Sequence, residues 1–277
     1  MPHKTSIEWT RTELPDGSFT EGYASNPIRA RRLDNGKVGW HCEKVSPGCV
    51  RCYAETVNLR FGTGLPFTPA SAEKIELFVS QDELNQYKAL NDRLGKQGKT
   101  AKVFAVDMAD IFHRMVTDAM LNKVFDTFEA CPNLTTMILT KRANRMAGYL
   151  TKRWAGKTPP AHIWGGVSVE RQEEAWRIRH LIETPLALRF LSCEPLLSRL
   201  DINQYLTRIG WAITGGESGV KARPANPDWF RDLRDQCKAA GVPFFMKQMG
   251  GRKDKGGDIE TIPADLRIRQ MPEVTHV

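Results

Sequence analysis

A chain of 277 residues, 41% of them hydrophobic, has enough apolar material for a large core and a length ordinary for one α/β barrel. Forty Lys and Arg against 32 Asp and Glu give a formal net charge of +8, which fits an anionic partner such as nucleic acid or a phosphorylated substrate. No apolar run reaches the roughly 18 residues of a membrane-spanning helix, and no apolar signal region opens the chain, so a cytoplasmic location is expected and no membrane partner.

Residues 5–10 read as a short first strand. Residues 11–37 are polar and carry Pro15, Gly17, Gly22, Pro27 and Gly36, so a long loop or small hairpin insertion is expected there. Cys42, Cys49 and Cys52 follow with C-x6-C-x2-C spacing, and Ser46-Pro47-Gly48 between the first two favours a turn. A helix is expected over 54–61, a Gly- and Pro-rich loop over 62–71, a strand over 74–78 and a helix over 81–94 ended by Gly95.

From there strands and helices alternate. Strands are predicted at 102–106, 135–140, 162–169, 186–192, 210–214 and 242–247. Helices are predicted at 115–131, 144–154, 173–182 and 228–240, with a shorter element at 200–206 and Gly241 as a C-cap. Apolar strands alternating with helices indicate a parallel sheet. No G-x-G-x-x-G follows the first strand, so a complete or partial (β/α) barrel of TIM type is preferred to a doubly wound sheet. The expected organisation is one barrel domain over 1–250, bearing the cysteine loop, and a polar tail over 251–277.

Barrel chemistry sits at the C-terminal ends of strands. The polar residues placed there are Asp107 and Asp110, then Thr140, Lys141 and Arg142, then Ser168 and Glu170. Ser192, Cys193 and Glu194 follow, then Thr214, Glu217 and Ser218, and finally Lys247 and Gln248. Carboxylates directed into a barrel mouth are costly unless paired or liganding, which singles out Asp107, Glu194 and Glu217 as catalytic candidates. Lys141, Arg142 and Arg145, with Arg29, Arg31 and Arg32, are candidates for phosphate contact or for a solvated basic face.

Three closely spaced thiols in a chain of this kind point to metal rather than to a disulfide framework. Two ligand sets fit. Zinc takes four ligands, and His41 or Cys193 could supply the fourth, giving a structural site in a nucleic-acid-binding or accessory protein. A [4Fe–4S] cluster held by three thiolates leaves one iron open. In a third reading the cysteines only stabilise a loop, and Asp107, Glu194 and Glu217 serve a divalent-metal-dependent hydrolase.

Further short segments carry a resemblance. They are Ile7-Glu8-Trp9-Thr10, Lys44-Val45-Ser46-Pro47-Gly48-Cys49 and Cys52-Tyr53-Ala54-Glu55. Asp110-Ile111-Phe112-His113, Leu139-Thr140-Lys141-Arg142 and Gly166-Val167-Ser168-Val169-Glu170 come next. The last are Leu191-Ser192-Cys193-Glu194-Pro195-Leu196-Leu197, Gly215-Gly216-Glu217-Ser218-Gly219 and Phe245-Met246-Lys247-Gln248. With them, almost the whole chain resembles a largely phage-encoded family of three-Cys-motif proteins. More broadly, a three-cysteine loop after the first strand of a barrel resembles the radical S-adenosylmethionine (SAM) superfamily.

That resemblance implies that Cys42, Cys49 and Cys52 ligate a [4Fe–4S] cluster whose open iron takes SAM. One-electron cleavage of SAM would then give a 5′-deoxyadenosyl radical that acts on a nucleic acid, a nucleotide or another substrate in a phage setting. It also implies an electron donor such as a flavodoxin or ferredoxin. The implied SAM-binding set is Asp107, Asp110, Ser168, Glu170, Gly215, Gly216 and Glu217. Two features depart from the superfamily. Its usual spacing is C-x3-C-x2-C, and its Gly-Gly-Glu motif ends the second strand, whereas Gly215-Gly216-Glu217 comes late. Asp107 stands at the expected position and is assigned the SAM amino group, leaving Glu217 for a substrate or ribose contact.

Overall fold

A computed structural model describes residues 2–11, 19–219, 221–251 and 258–273. Its eleven strands are β1 (His3–Thr5), β2 (Gly22–Ser25), β3 (Ile28–Arg32), β4 (Val38–Gly39), β5 (Ile75–Val79), β6 (Ala101–Ala105), β7 (Leu134–Thr140), β8 (Ile163–Ser168), β9 (Leu188–Cys193), β10 (Trp211–Gly215) and β11 (Phe244–Gln248). The helices are α1 (Tyr53–Phe61), α2 (Pro69–Ala72), α3 (Gln81–Gly95), α4 (Asp118–Glu129), α5 (Ala143–Arg153), α6 (Trp176–Glu183), α7 (Asn203–Leu206) and α8 (Pro227–Ala240).

Eight strands form one sheet in the order β1-β2-β6-β7-β8-β9-β10-β11. Only β1 runs antiparallel to its neighbour among the registered pairs, while β2–β6, β6–β7, β9–β10 and β10–β11 are parallel. The order rises along the chain without reversal. A doubly wound sheet would reverse at a switch point. The mixed α/β fold is therefore of the partial (β/α) barrel type, as expected. A second sheet is antiparallel, in the order β4-β3-β5.

Residues 11–37 depart from the expected insertion. Within them lie β2, the first parallel strand, and β3, the centre of the small sheet. The hairpin part of the expectation survives as the β3–β4 connection. β2 is Gly-Tyr-Ala-Ser, fully buried, and has no β-branched residue to announce it. At Gly22 a β-carbon would collide with the Thr10 side chain, so close packing demands the glycine that looked like a loop signal. The strand predicted at 5–10 is instead β1 followed by a 3₁₀ turn over Glu8–Thr10, which buries Trp9 edge-on against Phe104. Part of the 11–37 reading, residues 12–18, lies outside the described residues.

The chain divides into two compact units. The first comprises Met1–Val45, Cys52–Arg142 and His162–Trp164. Its helices are set by local signals. Ser80 caps α3 by accepting from Glu83 N, and Thr117 caps α4 by accepting from Met120 N. The Thr117 cap explains why α4 starts three residues later than residue 115. Leu84, Tyr87, Leu90 and Leu94 form the buried stripe of α3, and Leu121, Val124, Phe125 and Phe128 that of α4. Tyr87 is fully buried, and its hydroxyl lies 2.6 Å from Thr136 Oγ1. Tyr87→Phe is expected to cost about 1–3 kcal/mol, because it strands a buried hydroxyl. Urea denaturation measures this as a lower midpoint with an unchanged slope.

The second unit comprises Ser46–Arg51, Ala143–Ala161 and Gly165–Val277. Trp211, Phe190, Phe230, Phe244 and Phe245 fill its core. Gly241 ends α8 at φ 68°, a left-handed C-cap that glycine adopts without strain. The edge of β11 is covered from the tail. Met246 N donates to Ile268 O at 2.8 Å and Gln270 N to Phe244 O at 3.0 Å. Backbone groups that would otherwise template association are thereby paired.

Candidate functional site

In the first unit Cys42 and Cys52 pack against one apolar cluster of Ala54, Phe67 and Met108. Cys52 is the N-cap residue of α1, and its carbonyl accepts from Thr56 N at 3.3 Å. The adjacent Tyr53 hydroxyl donates to the Asp107 carbonyl at 2.7 Å. Asp107 lies just past the C-terminal end of β6, so the third cysteine stands at the strand end where barrel chemistry is built. Asn26, just past β2, donates to Asp107 Oδ1 at 2.5 Å and accepts from Met108 N at 3.0 Å. Burial pushes the Asp107 carboxyl up, against the pull of the Asn26 hydrogen bond.

Asp110 has a different part. It accepts from Phe112 N, Thr140 Oγ1, Lys141 N and Arg142 Nη1, the last at 2.9 Å. The guanidinium it orients also donates to Cys42 Sγ at 3.8 Å and to Glu43 O at 3.2 Å. Burial works against the Arg142 charge, but Asp110 and Cys42 outweigh it and hold the cation above its ordinary range. A fixed cation beside a thiol favours the thiolate, the form that binds metal.

Beside Cys42, His41, Glu43 and His113 each bring one potential ligand atom within 4.8 Å of the others. Burial lowers both imidazoles to about 4. The hydrogen bonds from Arg114 hold Glu43 below the usual carboxylate range. Cys42, Cys49 and Cys52 are not so grouped among the described residues. His41, one of two possible fourth ligands in the zinc reading, is grouped with Glu43 and His113. Cys193, the other candidate for that place, is fully buried at the end of β9, and burial raises its thiol well above the ordinary value.

In the second unit the segment Ser46–Arg51 carries Cys49 and is clamped by two carboxylates. Glu170 is fully buried, and it accepts from Ser46 Oγ at 2.6 Å and from Arg177 Nη1 at 2.8 Å. Arg177 also donates to the carbonyl of Ser168 at 2.8 Å and pairs with Glu174. A β-carbon at residue 48 would collide with the Glu170 side chain, so Gly48 admits this approach. Ser46 Oγ lies 3.8 Å from Cys49 Sγ.

Glu217 binds Arg51 at 3.2 Å and takes several hydrogen bonds from Arg223, whose Nη2 also donates to the Pro47 carbonyl at 2.9 Å. Burial opposes ionisation of Glu217, but the Arg223 hydrogen bonds and both guanidinium groups prevail and hold it below the usual range. Glu170 and Glu217 thus act on the cysteine segment itself.

The remaining candidates are packed together. Glu194 pairs with Lys247 at 3.1 Å and accepts from Ser192 Oγ at 3.3 Å. A β-carbon at Gly215 would meet the Glu194 carboxylate, and one at Gly216 would collide with the Met249 backbone. Gly216 N donates to Gln248 O at 3.0 Å, and Gln248 Nε2 donates to Gly216 O and to Ser218 Oγ. Gly-Gly at this position is therefore accounted for by close backbone approach beside β11.

Arg51, Arg177 and Arg223 were not singled out from sequence, and Ser46 was read only as part of a turn. Their signal is tertiary, since each meets a partner far along the chain or lies buried where arginine is rare. The basic candidates of the early segment are ion-paired. Arg29 pairs with Glu83 and stacks over Trp40, Arg31 pairs with Glu76 and stacks over Phe78, and Arg32 pairs with Asp34.

Comparison with solved structures returns spore photoproduct lyase in several states. One is a point mutant, at 13% identity and TM-score 0.41, covering 86% of this chain and 58% of that one. Another is the enzyme complexed with dinucleoside spore photoproduct, at 10% identity and TM-score 0.40, covering 88% and 59%. A third is a double mutant with bound AdoMet and the same dinucleoside, at 12% identity and TM-score 0.43, covering 98% and 67%. The chain spans about three-fifths of the length of the first of these. The comparison with curated proteins gives no match. A family model described as a protein of unknown function (DUF5131) matches residues 35–272, so the chain belongs to the DUF5131 family.

Proposed function

We propose that the protein is a radical SAM-type enzyme, in which Cys42, Cys49 and Cys52 hold a [4Fe–4S] cluster. The observation that carries this reading is the seat of the cysteine loop. The Tyr53–Asp107 hydrogen bond brings the third cysteine to the C-terminal end of β6, beside a half-buried carboxylate. The donor set fits the group. All six cysteines are free of disulfides, and two of the three motif thiols rest on apolar side chains. Thiolates of a polynuclear cluster bind separate irons, so they need not converge on one point as zinc ligands must. When bound, the cluster supplies the electron that cleaves SAM to a 5′-deoxyadenosyl radical.

The chain's own residues have defined tasks in this reading. Arg142, held by Asp110, stabilises the Cys42 thiolate. Glu170, through Ser46, and Glu217, through Arg51 and Arg223, fix the segment bearing Cys49. Asp107 is the carboxylate placed to receive the SAM amino group. Glu194, paired with Lys247, and the Gly215-Gly216 backbone are left for the substrate side. A substrate with phosphate groups suits the net charge of +8.

Anaerobic purification followed by counts of iron, sulfide and zinc tests the proposal. About four irons and four sulfides per chain, with 5′-deoxyadenosine formed on adding dithionite and SAM, is the expected result. A colourless protein with one zinc and no sulfide would overturn it.

A further inference from the structure

A second potential metal centre lies beside the thiol motif. One ligand atom from each of His41, Glu43 and His113 falls within a 4.8 Å group. Both histidines are buried, and their rings meet edge to face with centroids 5.3 Å apart. His113 Nε2 lies 3.4 Å from Glu43 Oε2. His41 is 3% exposed, and its Nε2 is buried without a hydrogen-bond partner. Native structures leave few such atoms unsatisfied, and a bound cation is one explanation for them.

His41 and Glu43 both lie against His113, and the His41 ring also meets Phe67 edge to face at 6.0 Å. Cys42 between them packs on the Ala54–Phe67–Met108 cluster.

We infer that His41, Glu43 and His113 form a mononuclear site for a divalent first-row transition metal, separate from the three thiols, that anchors the backbone on both sides of Cys42. Two imidazoles and one carboxylate are a set that zinc and ferrous iron accept, with further positions left to water. Magnesium and calcium prefer all-oxygen sets. The inference does not depend on what the thiols bind.

Two local features adjust on loading. His113 Nδ1 accepts from Met115 N at 3.3 Å, so the neutral ring carries its hydrogen on Nε2. Coordination through Nε2 moves that hydrogen to Nδ1 and gives up this long bond, with no net proton released. Arg114 chelates Glu43 through Nε and Nη2, at 2.7–3.2 Å, and so competes with the metal for the carboxylate.

Cobalt(II) alone, added to metal-free protein carrying Cys42→Ser, Cys49→Ser and Cys52→Ser, tests the site. One cobalt per chain is expected, with weak visible bands and no sulfur-to-cobalt charge-transfer band in the near ultraviolet. His41→Ala or His113→Ala in that background is expected to weaken binding roughly 100-fold or more, since loss of a mere supporting group costs about 10–100-fold. Arg114→Ala is expected to tighten it. If circular dichroism shows the serine chain misfolded, the wild-type chain and His113→Ala are compared for zinc content. The equivalent lost on substitution should show only nitrogen and oxygen neighbours by X-ray absorption. A folded serine chain that binds no cobalt would overturn the site. So would a zinc content unchanged by His113→Ala, or sulfur around the lost equivalent. Weaker binding in Arg114→Ala would remove Glu43 from the ligand set.

Discussion

Cys42→Ala, Cys49→Ala and Cys52→Ala are each expected to yield protein with little iron or sulfide and no 5′-deoxyadenosine on reduction with SAM. Three thiolates leave no spare ligand in the proposed set, so each loss is close to complete rather than graded. The other cysteines are poor substitutes. Burial pushes Cys131 up to about 11 and Cys237 up to about 12, and raises Cys193 well above the usual thiol value. Such thiols stay protonated at neutral pH, whereas the thiolate is the metal ligand. Iron and sulfide assays on anaerobic protein, with chromatography of the nucleoside product, decide the matter. A variant that retains wild-type iron and product would exclude that cysteine from the set. Arg142→Ala should fall between these extremes, because it removes a stabilising cation but no ligand.

Glu170→Ala is expected to destabilise the protein by about 3–5 kcal/mol, the usual cost of stripping a buried ion pair of one partner. Glu170 is fully buried and Arg177 is 1% exposed, so water does not reach the guanidinium left behind. Glu174 and the Ser168 carbonyl remain as partners, which holds the cost to this range. Urea or guanidinium denaturation at pH 7 measures the loss. Glu170→Gln separates two contributions, since it keeps an acceptor for Ser46 and removes the charge facing Arg177. Replacing Glu170 and Arg177 together with Met should cost less than either single change, as pairs removed whole often do. The variants also test the loop. Glu170→Ala frees Ser46 and should lower iron loading even in the fraction that stays folded. A loss below about 1 kcal/mol with full iron content would show that neither the pair nor the clamp matters.

Much of the fold was legible from pattern. Apolar runs bounded by turn residues located β6 through β11 within a few residues, and Gly241 marked the end of α8. The first parallel strand was not legible. Gly22-Tyr23-Ala24-Ser25 has the composition of a turn, and only packing against Thr10 and β6 makes it a strand. The three cysteines stood out by spacing alone. That Arg142 and Glu170 serve them did not, because Arg142 meets Cys42 across a hundred residues and Glu170 meets Ser46 across 124. Glu170 and Glu217 were singled out as strand-end carboxylates, yet their partners, and hence their place in the site, come from chain crossings that spacing does not encode.

By itself the sequence determined the class of fold and the close spacing of three cysteines, since periodicity and spacing are local and survive in one dimension. The tertiary structure decided which charges are spent on one another. It turned Asp110, Glu170 and Glu217 from isolated acids into supports of the cysteine loop. It also set His41 together with Glu43 and His113, a grouping that spacing does not encode because folding brings His113 in from a distant part of the chain.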